Sequence, residues 1–141
     1  MLRCQVCLVA LSKTLMQQQY SFSQKYVRVR MRRFFDGQFK HVYIGKVISE
    51  TPNCLILFAR SFHFRKILSN GSVAGQKVSE SSGLSTEDIC ERAIPWASIE
   101  FAQIIEDPIN FEVPAIWGSC GKIVLDNKHK TFITSTHDHG E

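Results

Sequence analysis

Apolar and basic residues alternate strictly near the start of this 141-residue chain, and this alternation constrains the fold more than any other feature. Successive side chains of a β-strand point to opposite faces of its sheet, so a period of two predicts a strand with one apolar and one polar face. The apolar positions are Val27, Val29 and Met31, and the basic positions are Arg28, Arg30 and Arg32. We therefore predict a half-buried strand over 26–35 whose arginines face solvent.

Turn residues divide the rest of the chain into further strands. Asp36-Gly37 predicts a hairpin turn after the first strand, and a Pro-Asn pair at 52–53 predicts the next turn. Two long strands are predicted over 39–49 and 54–67. Shorter strands are predicted over 99–105, 112–117, 121–125 and 131–135.

One helix is expected beside a flexible insert. The Ser- and Gly-rich sequence over 68–83 predicts a flexible surface loop. Ser85 then has the character of a helix N-cap, and Glu87 and Asp88 suit the positive end of a helix dipole. A following proline limits this helix, which we predict over 86–92. The predicted fold class is mainly β, a small bent-strand barrel or roll with one short helix in an insert.

Length and composition predict one domain with flanking segments. A hydrophobic content of 44% over 141 residues supplies one core. We predict a single β domain over 26–135, an N-terminal extension over 1–25 that is loosely ordered or forms a short helix, and a tail over 136–141. Five irregularly spaced cysteines argue against a disulfide framework and favour a cytoplasmic protein. No apolar run reaches the roughly 18 residues that span a bilayer, so no membrane partner is expected.

Positive charge is concentrated in the first 40 residues, which hold eight Lys and Arg against one Asp. Arg28, Arg30 and Arg32 would lie on one strand face about 7 Å apart, and guanidinium groups suit phosphates at such a spacing. Lys40 and Lys46 on the next strand would extend this face. These five residues are the predicted nucleic-acid-binding site, with RNA or DNA as the partner. A solvated strand whose arginines prevent edge pairing explains the same pattern.

No catalytic motif is present, and we predict a non-enzymatic binding module without a cofactor. The sequence has no phosphate loop, dinucleotide-binding pattern or Gly-x-Ser-x-Gly. Cys4 and Cys7 form the only Cys-x-x-Cys, and His137 and His139 are the only clustered histidines, so a four-ligand zinc site is not predicted. The alternative function is protein interaction or self-association, through strand edges and a Phe-rich surface near residues 62 and 64.

Two patterns in the middle of the chain resemble the Sm-like proteins, which are small SH3-like β-barrels. Tyr43-x-Gly45-x-Val47 is similar to the aromatic-x-Gly-x-aliphatic core of the first Sm motif. Ile94 and Ile99 have the spacing of the two aliphatic residues in the second Sm motif. The resemblance covers about half of the chain and implies a bent-strand barrel.

The Sm residues that contact RNA do not have counterparts here. Within the matched stretch, roughly Tyr26–Ile105, the family's acid falls on Thr51 and its asparagine falls on Leu55. The family's Arg-Gly pair falls on Pro95-Trp96. The resemblance therefore implies the fold without the uridine-binding pocket of the family.

Overall fold

A computed structural model describes residues 21–65, 73–105 and 110–135, which are mainly β. The strands are β1 (Tyr26–Met31), β2 (Lys40–Glu50), β3 (Cys54–Phe64), β4 (Leu84–Thr86), β5 (Cys90–Pro95), β6 (Ile99–Ile105), β7 (Ala115–Trp117), β8 (Lys122–Leu125) and β9 (Phe132–Ser135). Single-turn 3-10 helices occupy Glu80–Ser82, Trp96–Ser98 and Ser119–Gly121. None of the described segments contains a helix with the length and apolar character that crossing a bilayer requires.

Each predicted strand overlaps an observed strand, although β1 ends at Met31 and β7 begins at Ala115, whereas the predicted helix over 86–92 is wrong. That segment contributes the end of β4 and the start of β5. Both strands pair with the same edge of β3, β5 along its first half and β4 along its last three residues. Pairing satisfies the backbone groups of that long edge and buries Leu84 and Ile94, and these non-local gains outweigh the local capping signal at Ser85.

The first sheet has to curl, because a short connection joins its two edges. Its strands run in the order β5-β3-β2-β1-β6, with β4 sharing the β3 edge. In a flat sheet β5 and β6 would stand about 19 Å apart. The link over 96–98 spans at most about 14 Å. The sheet therefore rolls, and since its edges do not pair among the described residues, the roll stays open rather than forming a closed barrel.

The concave face of the roll holds one apolar core. Its members are Val27, Val29, Val47, Leu55, Leu57, Ala59, Ile94 and Ile99. Gly45 allows β2 and β3 to approach each other over this face, because a Cβ at that position would overlap the Phe58 carbonyl oxygen and the Ala59 Cα. The glycine inside this strand, which is typical of a sharp bend, thus serves close backbone packing.

A second sheet, in the order β7-β8-β9, covers the convex face of the first. The core between the two sheets consists of Val42, Ile44, Phe62, Phe64, Leu84, Phe111, Ala115, Trp117, Ile123, Leu125 and Ile133. Phe62 and Phe64 are 0% and 2% exposed. The predicted Phe-rich interaction surface at these two residues is therefore wrong.

Arg28 faces this second sheet and is only 3% exposed. Its guanidinium carbon lies 4.9 Å from the Phe132 ring centroid and 5.4 Å from that of Phe101. Its Nε donates a 3.0 Å hydrogen bond to the Ile133 carbonyl oxygen. The arginine thus joins the two sheets, and the prediction that it faces solvent is wrong.

The other two arginines of the row have different environments. Arg30 is 4% exposed, and its Nε lies 3.2 Å from a carboxylate oxygen of Glu100. Arg32 follows the end of β1 and is exposed. Solvent exposure was therefore predicted wrongly for Arg30 and correctly for Arg32. The period of two identified the polar face but carried no information about what covers it.

Several predictions concern segments outside the described residues. These segments include most of the extension, the start of the insert and the tail, with Cys4, Cys7, His137 and His139. At the described end of the extension, Gln24 N donates a hydrogen bond to the Val47 carbonyl oxygen. The described part of the insert lies along β7, where Val78 N donates to the Ala115 carbonyl oxygen. Both segments are thus tied to the β structure where they meet it.

Replacing Arg28 with Ala is expected to lower the free energy of unfolding by about 3 kcal/mol, because it removes a buried hydrogen bond and two ring contacts and leaves a carbonyl without its partner. Arg28→Lys restores little of this, since an ammonium lacks the planar guanidinium fork. Urea unfolding followed by tryptophan fluorescence measures the effect. Arg33→Ala, at an exposed position, is the control and costs less than about 0.5 kcal/mol. Equal midpoints for Arg28→Ala and Arg33→Ala would contradict the assignment.

Gly45→Ala is expected to destabilise the fold by about 3 kcal/mol or more, because the added methyl group overlaps backbone atoms that cannot rotate away. Gly118→Ala is the matched control, since the nearest atom to its Cβ would be 3.6 Å away. Thermal unfolding by circular dichroism compares the two variants. The packing argument fails if their melting temperatures fall by the same amount.

Candidate functional site

A row of rings extends the concave face beyond its apolar core. His41 and Tyr43 alternate along the start of β2, in the same period as Gly45 and Val47 further along, and Phe39 lies two positions before His41, just ahead of the strand. Across from them on β3, Ser61 pairs with Tyr43, and His63 pairs with His41. Arg65 follows β3 and lies beside Phe39. We call these six residues the ring ladder. Its outer rung is Phe39 and Arg65, its middle rung is His41 and His63, and its inner rung is Tyr43 and Ser61.

The outer rung is the most exposed part of the ladder. The guanidinium carbon of Arg65 lies 5.6 Å from the centroid of the Phe39 ring. Phe39 is 55% exposed, and Arg65 is also exposed. A cation held over an exposed ring offers a stacking surface and a phosphate-binding group in one place.

The middle rung consists of two stacked imidazoles. The ring centroids of His41 and His63 are 3.7 Å apart. The Nε2 of His41 and the Oγ of Ser61 form a 2.6 Å hydrogen bond. The Nε2 of His63 lies 3.3 Å from a carboxylate oxygen of Glu87, and the side chain of His63 is 35% exposed. His41 is thus hydrogen-bonded to a hydroxyl, whereas His63 has a carboxylate at ion-pair distance.

The inner rung closes the ladder against β5. The Tyr43 ring lies 4.4 Å from that of His41, and the Arg92 guanidinium carbon lies 5.6 Å from the Tyr43 centroid. Arg92 Nη2 is also 3.1 Å from the second carboxylate oxygen of Glu87. Glu87 therefore bridges the histidine of β3 and the arginine of β5.

The surroundings of the ladder keep its inner groups uncharged near neutral pH. Burial lowers the pKa of His41 to about 4, and repulsion from His63 acts in the same direction. Burial likewise raises the pKa of the Tyr43 hydroxyl. Ser61 is 0% exposed, so its hydroxyl cannot be reached as a nucleophile even though an imidazole accompanies it. The ladder is consequently better suited to recognition than to nucleophilic catalysis.

The loop from 32 to 39 joins the ladder at Phe39. Phe34 and Phe35 are 68% and 67% exposed and follow two exposed arginines, Arg32 and Arg33. Phe34 N donates to Gln38 Oε1, which helps to shape the loop. A cleft of about 580 Å³ lies among these side chains. We call this segment the basic aromatic loop.

The five residues predicted to bind nucleic acid do not form one surface. Arg28 is buried against the second sheet and Arg30 is buried beside β6, whereas Arg32 is exposed in the basic aromatic loop. Lys40 is half-buried where that loop enters β2. Lys46 lies six residues further along the strand, about 20 Å away, with its ammonium over an aromatic ring. Only Arg32 and Lys40 are therefore close to the ladder.

Sequence reasoning missed the ladder, although part of its signal is local. Three rings at every second position, Phe39, His41 and Tyr43, are visible in the sequence. Their partners on β3 and β5 come from distant positions, and only the register of the sheet brings them together. Within the described ranges, no group of three or more His, Cys, Asp and Glu side chains is arranged to hold a metal ion.

We expect the fold to lose stability as the pH falls from about 6.5 towards 4. The unfolded chain takes up a proton at His41 near pH 6.5, whereas the folded chain resists it until about pH 4. Because the ring is partly exposed, we expect a loss of roughly 1 kcal/mol from this residue between pH 7 and pH 5. Urea unfolding of His41→Gln should show a weaker pH dependence than the parent. His129→Gln, at an exposed position, is the control, and identical profiles for both variants would contradict the prediction.

Comparisons with known proteins identify no relative. No family model matches the sequence, and no curated protein or solved structure matches it either. The function of the chain is accordingly inferred from the chemistry and geometry of the ring ladder and the basic aromatic loop.

Proposed function

We propose that this chain is a nucleic-acid-binding β module that holds a single strand along the ring ladder and the basic aromatic loop. The observation that carries the proposal is the repetition of rings beside cationic or imidazole groups on one partly exposed face. Base stacking on aromatic side chains is worth roughly 1–3 kcal/mol per base and tolerates any sequence. Basic groups beside the rings supply contacts to the phosphates.

The spacing of the ladder supports a single strand as the ligand. Side chains two residues apart on a strand are about 7 Å apart, which suits successive nucleotides of an extended chain. A duplex keeps its bases stacked inside, where the rings of a β-strand cannot reach them. The two exposed rings of the basic aromatic loop, Phe34 and Phe35, add stacking positions beyond the outer rung.

The resemblance to Sm-like proteins forms part of this proposal. An antiparallel sheet that rolls on itself, with a single-turn helix between its edge strands, is compatible with a small SH3-like barrel. At the positions of the Sm RNA-contacting residues, Thr51 stabilises a turn through its hydroxyl, and Leu55 is 0% exposed. We therefore assign binding to the ladder rather than to a uridine pocket.

A second candidate function is self-association through a sheet edge. Among the described strands, β6 pairs only with β1, which leaves its other edge for a further strand. Ile104 on this strand is 40% exposed. Such an edge can accept a strand from a second copy of the chain. Analytical ultracentrifugation at several protein concentrations tests this, and a monomer throughout would exclude it.

The nucleic-acid proposal is tested by fluorescence anisotropy with a labelled 12-nucleotide single strand of RNA or DNA. We expect binding whose affinity falls with salt, with a log–log slope of about −2 for three phosphate contacts. Arg32→Ala/Arg33→Ala/Arg65→Ala should weaken binding at least tenfold and flatten the slope. Phe34→Ala/Phe39→Ala should weaken binding with little change in slope.

The matched control is Lys122→Ala/Lys128→Ala, which removes exposed positive charges from the second sheet. The proposal predicts near-parental affinity for this variant. It fails if the parent does not bind a single strand at low salt, or if the control loses as much affinity as the arginine variant. Vesicles containing anionic lipid are tested in parallel, because exposed phenylalanines beside arginines also suit a membrane surface. Binding to vesicles alone would overturn the assignment to nucleic acid.

A further inference from the structure

We propose that the His41–His63 rung regulates nucleic-acid binding by taking up one proton, so that the ladder binds a single strand more strongly in mildly acidic solution. This inference rests on the proposed function and names how the same site is controlled. The rung lies between two rings that each have a guanidinium beside them, Phe39 with Arg65 and Tyr43 with Arg92. Its charge state therefore determines whether positive charge is continuous along the ladder.

The contacts of the rung assign the proton to His63. Its Nε2 lies 3.3 Å from a Glu87 carboxylate oxygen, which is close enough for an ion pair when that nitrogen carries a proton. His41 instead has its Nε2 hydrogen-bonded to Ser61 and is held neutral by burial. Protonation of His63 converts its contact with Glu87 into an ion pair and adds one positive charge to a side chain that is 35% exposed.

The stacking limits the rung to a single proton. The two ring centroids are 3.7 Å apart, so a second proton would place like charges in contact. One charge is compatible with the stack, because a neutral ring can face an imidazolium. The rung is thus built to change by one unit of charge rather than two over the range in which imidazoles titrate.

Other titratable and charged groups surround the rung. Those of β2 and β3 are Tyr43 and Arg65, and those of the segment through β5 are Glu87, Cys90 and Arg92. A pH dependence that the parent shows and His63→Gln lacks therefore separates the imidazole from these groups.

The experiment measures the salt dependence of binding at pH 7.5 and pH 5.5 with the same labelled 12-nucleotide single-stranded DNA. Each additional phosphate neutralised on a single strand steepens the log–log slope by about 0.7. We expect the parental slope to steepen by about this amount at pH 5.5. We expect no steepening for His63→Gln, whatever its basal affinity, because glutamine cannot take up the proton.

Two further variants keep the test decisive. His129→Gln alters an exposed histidine in the turn between β8 and β9 and should retain the parental response. Glu87→Gln removes the carboxylate that would pair with the protonated ring, so its steepening at pH 5.5 should be smaller than the parental one. This variant alters a side chain that is 48% exposed and remains informative if His63→Gln fails to fold. Circular dichroism at both pH values verifies that each protein is folded.

The outcomes separate this inference from the proposed function. Binding with the same slope at both pH values overturns the proton-controlled rung and leaves nucleic-acid binding intact. Equal steepening in the parent and in His63→Gln also overturns it, since another group then titrates. Absence of binding at both pH values and low salt instead overturns the proposed function itself.

Discussion

The guanidinium of Arg28 lies between the rings of Phe101 and Phe132 and donates to the backbone of β9, and this contact joins the two sheets of the structure. A buried charge is tolerated only where hydrogen bonds and rings replace its water. The second sheet supplies these partners, and in doing so it buries the convex face of β1–β3. With that face covered, the concave face contacts solvent at the open end of the roll.

The ring ladder follows from where the concave core ends. Deep in the roll, alternate positions of β2 carry Val47 and Gly45, which fill space and allow close packing. Towards the start of the strand, the same row continues as Tyr43, His41 and Phe39, with exposure increasing to 55% at Phe39. The apolar row thus becomes a polar aromatic row without leaving the face. The surface that we propose for binding and the apolar core consequently share one strand.

The strands and part of the site could be predicted from local patterns. Alternation of apolar and polar residues indicated β1, and the Pro-Asn pair indicated the turn before β3. The prediction of a helix over 86–92 was wrong, because helix capping stabilises this segment less than strand pairing with the edge of β3 does. The prediction that the arginine row is exposed was wrong at Arg28 and Arg30 for a related reason. A polar side chain that alternates with valines lies on the opposite face of the strand from them, but whether that face is buried depends on what packs against it.

Composition and period therefore determined that the chain is mainly β, where its principal strands lie and which faces of them are chemically distinct. Only the tertiary structure decided that Arg28 is buried while Arg32 is exposed, and that Glu87 and Arg92 stand beside His63. The physical reason is the separation along the chain of the residues that interact. Strand periodicity arises from neighbouring residues, whereas burial and the ring ladder arise from contacts between strands far apart in the chain, which form only when the sheet rolls and its convex face is covered.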